Sequence, residues 1–124
     1  MAGHVLVCVT GQKTCEKLIV EGARIAAEEK LELAVLHVVK PGESPLGSHT
    51  EADALEYLFR IASQYDAAMS MIRAEDVADT IVKQAEKLKA GVLVMGRTTG
   101  AKERRVAAMM EERLPEVRIH LVYE

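Results

Sequence analysis

Val92-Leu93-Val94-Met95-Gly96-Arg97-Thr98-Thr99-Gly100-Ala101-Lys102 decides how this chain is read. A short apolar run passes into a glycine, a polar turn with two threonines, a second glycine, and a stretch that carries Lys102, Arg104 and Arg105. The pattern predicts a strand that opens through a turn into a helix. In α/β proteins that is where anions are held, because free backbone N–H groups and the helix dipole converge on one spot.

Working outward, the same alternation recurs. His4-Val5-Leu6-Val7-Cys8-Val9-Thr10 is a nearly unbroken β-branched run, the pattern of a strand buried on both faces. Gly11 and Gln12 form its turn, and Thr14 is placed to cap a helix with Glu16 in the first turn. Leu18, Ile19, Gly22, Ala23, Ile25 and Ala26 make the helical stripe, down to about Lys30. A second apolar strand covers 33–39. Residues 40–50, with Pro41, Gly42, Pro45 and Gly47, are the one long loop and the expected site of greatest mobility.

A second helix is predicted over 51–65, with Leu55, Leu58, Phe59, Ala62 and Tyr65 inward. A weaker strand over 67–73 is interrupted by Ser70. Glu75 or Asp76 opens a third helix, with Val77, Ile81, Ala85 and Leu88 on one face and Gly91 at its end. After the focal strand a fourth helix places Val106, Met109, Met110 and Leu114 inward, and Pro115 stops it. Val117-Arg118-Ile119-His120-Leu121-Val122-Tyr123 is the last strand.

Five strands alternating with four helices predict an α/β three-layer sandwich around a parallel sheet. Strands one, two and four are continuously apolar and belong in the centre; three and five carry polar residues and belong at the edges. The order 3-2-1-4-5 satisfies this. It brings the turns at Thr10-Gly11 and at 96–102 together where the direction of build reverses, which is where such sheets hold ligands. The candidate ligand residues are therefore Thr10, Gly11, Gly96, Arg97, Thr98, Thr99, Gly100 and Lys102.

Composition narrows the classes. The chain has 124 residues, read as one domain over 1–124, with 49% hydrophobic residues and a formal charge of −3, which gives no broad basic surface for nucleic acid. No run is long enough to cross a membrane, and no signal-peptide pattern opens the chain, so a cytoplasmic protein is expected. Cys8 and Cys15 are too few for a disulfide framework, and His37, His49 and His120 fall in separate segments, which argues against a metal site. Cys15 near a helix start has two readings, a thiol of lowered pKa or one without a role, and the second is preferred.

The focal turn is no Walker A loop, because three residues rather than four separate its glycines and Ala101 precedes Lys102. It is either a tight turn before a solvated basic helix or an anion site; four cations in nine residues support the site. A phosphoacceptor receiver needs acidic residues after strand one and an Asp ending strand three, where Thr10 and Arg73 stand. No acid, base or nucleophile set converges on the crevice, so no catalysis is expected. The alternating fifth strand sits at a predicted edge, and unpaired edges invite partners.

These residues together resemble the universal stress protein family over essentially the whole length. The resemblance is carried by the His4-to-Val9 strand, the Ala85-to-Gly91 segment, Val92-Leu93-Val94-Met95-Gly96-Arg97 and the final strand. The ending Glu111-Glu112-Arg113-Leu114-Pro115-Glu116-Val117-Arg118-Ile119-His120-Leu121-Val122 is most similar to the stress-protein-like domain of bacterial Kdp potassium sensor kinases. The resemblance implies an adenine nucleotide α-hydrolase-like fold, a homodimer through the last strand (117–123), and ATP or AMP as a ligand in one branch of the family. That branch carries an Asp after strand one, then a glycine, a second glycine three places on, and a Gly-Ser/Thr pair ten places further. Here Gly96 matches, Thr99 holds the second position with Gly100 one place late, Met109 or Met110 holds the third, and Thr10 replaces the Asp. The Ser-x-Ser and aromatic features that some Kdp-type domains use for cyclic di-AMP are replaced by Cys15 and Leu36-His37. The expected function is a non-catalytic regulatory or stress-response module with a degenerate nucleotide site. The alternative is an adenine-nucleotide binder with a variant phosphate loop.

Overall fold

The computed structural model describes residues 3–9, 12–43, 50–97 and 101–123, with the side chains of all of these except 12–14, 97, 101–104 and 123. The elements run β1 (His4–Val9), α1 (Gln12–Glu29), β2 (Glu32–Val39), α2 (Glu51–Gln64), β3 (Ala68–Arg73), α3 (Val77–Lys87), β4 (Ala90–Arg97), α4 (Ala101–Arg113) and β5 (Arg118–Tyr123). All five strands are parallel in the order β3-β2-β1-β4-β5, as the strand polarity predicts.

Alternation along the strands splits the core into two. Val5, Val7, Val9, Leu33, Val35, Val92 and Val94 face α1 and α2, while Leu6, Cys8, Ala34, Leu36 and Leu93 face α3 and α4. β1 is at most 5% exposed from Val5 to Val9, which is why its sequence shows no polar alternation. α1 lies close on the sheet at Gly22, where a Cβ would stand 2.3 Å from Val7 Cγ2. Only glycine permits that approach.

The helix boundaries differ from expectation in instructive ways. α1 begins at Gln12, two residues before the cap expected at Thr14, which instead lies within the first turn. Asp76, not Glu75, caps α3, its carboxylate accepting from the Asp79 N–H at 2.9 Å. Gly91 does not end that helix. Lys89 turns the chain with φ of 54°, as Lys30 (57°) and Asp66 (56°) do after α1 and α2. Gly91 is instead the extra residue of β4 where the register with β1 shifts between His4 and Val5.

Two predicted helix faces are also corrected. α2 buries Ala54, Leu58, Ile61 and Ala62, whereas Leu55 is 39% and Phe59 64% exposed. On α4, Met110 and Leu114 are buried but Met109 is 40% exposed. In both helices the apolar stripe is wider than the contact the sheet can offer.

Polar contacts tie the layers together at their rims. His4 reaches the Leu88 carbonyl at 2.8 Å and the Glu32 carboxylate at 3.2 Å, linking β1, α3 and β2 at the end of the sheet remote from the predicted crevice. Asp79 meets Lys83 and Arg113, each at 3.0 Å, joining α3 to α4; those cations hold its carboxyl below the usual range. Arg73 donates to the Lys40 and Glu43 carbonyls and to Glu51, each at 3.2 Å, fastening the end of β3 to the start of the β2–α2 connection and to α2.

Candidate functional site

β1 and β4 are neighbours, and they run the same way, so their C-terminal ends open side by side where the strand order reverses. The β1–β4 register reaches Cys8 opposite Met95, and one further step sets Val9 beside Gly96. Across the sheet this end forms one row on the α1 side: Met71, His37, Val9, Gly96 and Val122. That row lies at the end of the sheet where a parallel fold of this order is expected to hold a ligand.

Of the eight predicted ligand residues, Gly96 is described in full and stands in this row. Thr10, Gly11, Thr98, Thr99 and Gly100 lie outside the described residues. Arg97 closes β4 and Lys102 lies in the first turn of α4, so their backbones stand at the crevice end; their side chains lie outside the description. A Cβ built on Gly96 would meet Leu18 at 3.6 Å, an ordinary contact, and Gly96 is not among the residues of positive φ. Among the described neighbours, nothing about packing or backbone demands glycine there.

Cys15 is buried, and burial pushes its thiol up to about 12, as it does for Cys8. The lowered-pKa reading of Cys15 is thereby overturned, because desolvation of the thiolate dominates at this helix start. His37 is the one buried polar residue of the described chain, at 3% exposure. Its Nδ1 donates to the Val9 carbonyl at 2.8 Å, across the β1–β2 ladder where the two residues are register partners. Burial lowers its pKa, and the bond to Val9 offsets that in part. In the sequence His37 stands out only as an isolated histidine without metal-site spacing and, with Leu36, in place of the aromatic feature of some Kdp-type domains. The available signal was a lone imidazole inside an apolar strand next to the candidate turn.

A doubly wound parallel sheet with a crevice at its switch point defines the class: a small nucleotide-binding-type α/β domain. The model of the universal stress protein family matches residues 1–114, and the chain belongs to that family. It is 31% identical over 93 residues to the sensor protein KdpD of Mycobacterium tuberculosis, a match covering 75% of this chain and 10% of that protein. The chain thus matches about a tenth of the length of that curated relative. Among solved structures it is similar to a universal stress protein in complex with cAMP (TM-score 0.75, 18% identity, 97% of this chain and 96% of that one). It is also similar to the universal stress protein of Archaeoglobus fulgidus in complex with dAMP (TM-score 0.61, 15% identity, 99% and 97%). No helix among the described residues is long and apolar enough to cross a membrane.

Proposed function

We propose that residues 1–124 form one regulatory stress-response domain, non-catalytic and cytoplasmic, whose crevice takes an adenine nucleotide at a site degenerated from the ATP-binding pattern. The observation that carries this reading is the crevice at the β1–β4 switch point, in a fold shared with proteins solved with cAMP and dAMP. The degeneracy is supported by α4. Where the ATP pattern wants glycine, Met110 is packed into the core and Met109 points outward, so neither offers a bare backbone to a phosphate chain.

Chemistry at the crevice has little to work with among the described groups. The Cys15 thiol is protonated at neutral pH, and the His37 Nδ1 is engaged by Val9. Two unpaired, buried cysteines suit a reducing compartment. Similarity to part of a sensor protein supports a regulatory role. β5 forms one edge of the sheet, which supports a homodimer through residues 117–123.

A second reading, a true ATP or AMP binder with a variant loop, is favoured by the cations Arg97, Lys102, Arg104 and Arg105 around the turn. Thermal unfolding with AMP, cAMP and ATP-Mg separates the two. A ligand at a hundred times its Kd adds about 2.7 kcal/mol, a shift of several degrees for a domain of this size. The degenerate site predicts a shift with AMP or cAMP at millimolar concentration and no larger one with ATP-Mg. A larger ATP-Mg shift that vanishes in Arg97→Ala makes the second reading the right one. No shift with any of the three overturns both.

A further inference from the structure

Among the described residues, the end of the sheet at β1 and β2 buries one polar side chain, His37, and nucleotide binding as stated above gives it no task. Val9 is the last residue of β1, and its carbonyl sits in the core where the chain leaves the sheet. A buried carbonyl at such an exit needs a donor. The His37 imidazole supplies one at 2.8 Å, and because a carbonyl only accepts, the hydrogen is on Nδ1. We propose that His37 is the positioning residue of the crevice: by holding the Val9 carbonyl it fixes the C-terminal end of β1 against β2 where the ligand would sit.

Three features support this assignment. The bond crosses between register partners, so it fixes β1 against β2 at the very end of their ladder. On its other side Val9 stands one step beyond the last β1–β4 pair, Cys8 with Met95, so a displacement of Val9 is felt where the two strand ends open side by side. Burying an imidazole is costly, and an apolar side chain fills such a place more cheaply unless the hydrogen bond is needed. Burial also keeps the ring neutral near pH 7, which leaves Nδ1–H as its fixed donor toward Val9.

The inference rests on the nucleotide reading only for its binding arm, so two measurements are made on each protein. One is the affinity for AMP by calorimetry; the other is amide hydrogen exchange over residues 9–16. The variants are His37→Phe, which removes the donor, and His37→Asn, whose amide nitrogen replaces Nδ1. His37→Leu is the smaller donor-free substitute if phenylalanine does not fit. Loss of a buried bond of this kind shifts an equilibrium by about tenfold. The expected result is about tenfold weaker AMP binding and about tenfold faster exchange in the donor-free variant, with His37→Asn close to wild type in both. Donor-free protein that matches wild type overturns the proposal. So does His37→Asn failing as badly as His37→Phe, because the ring would then act by packing alone. If wild type does not bind AMP but exchange still separates the two variants, the nucleotide reading fails and the positioning role stands.

Discussion

At the scale of single residues, burial decides which groups retain their ordinary chemistry. Cys15 begins a helix, where the dipole favours a thiolate, yet desolvation wins and pushes the thiol up to about 12. His37 is driven the other way by the same cause, since burial disfavours its charged form. The consequence for stability has a definite sign. With a native pKa below the ordinary 6.5, the folded state binds fewer protons than the unfolded one, so the full contribution is present above about pH 6.5. It is lost as the pH falls from there through the lowered native value, at up to about 1.4 kcal/mol per pH unit. Urea unfolding at pH 7.5 and pH 5.0 should therefore show a larger acid loss in wild type than in His37→Asn, which has nothing to titrate at that position. Equal losses in the two proteins would mean that other groups carry the acid sensitivity. None of this was legible in residue identity, because Cys and His read alike in sequence whether sealed or exposed.

At the scale of elements, hydrophobic period located every helix and strand but left the rotation of two helices open. In α2 the residues Leu55, Leu58, Phe59 and Ala62 all fit one broad apolar stripe. The sheet beneath accepts a narrower one centred on Leu58 and Ile61, which leaves Phe59 64% exposed. The two adjacent apolar positions should respond very differently. Leu58→Ala is expected to cost about 2–5 kcal/mol in urea unfolding, by loss of a fully buried side chain and the cavity left behind. Phe59→Ser should stay within about 0.5 kcal/mol of wild type. Similar costs at both positions would return the helix to the rotation its sequence suggests. The helix stops show the same limit. Gly91 was the obvious breaker after α3, but Lys89 takes the left-handed turn, because a lone non-glycine residue accepts that conformation at modest cost when the following strand must be aimed at the sheet.

At the scale of the whole molecule, the sheet leaves β3 and β5 as edges, and the α1 side of β5 is tied to α1 by Arg118 with Glu29 and by His120 with Glu21 at 3.7 Å. These ties hold the edge strand in place without pairing its outer side. If β5 joins two copies, sedimentation at micromolar concentration should give twice the monomer mass; a monomer mass up to millimolar concentration would remove that assembly. The sequence by itself determined the fold class and the strand order, because these follow from hydrophobic runs and turn residues that act over a few neighbours. It also determined the family, through motifs spread along the chain. Tertiary structure alone decided that Val9 and His37 are register partners, that His37 holds the Val9 carbonyl, and that Met110 is buried in the core while Met109 is exposed. Those facts depend on register and on which face each strand turns to each helix, and both are settled only when residues far apart in the chain pack against one another.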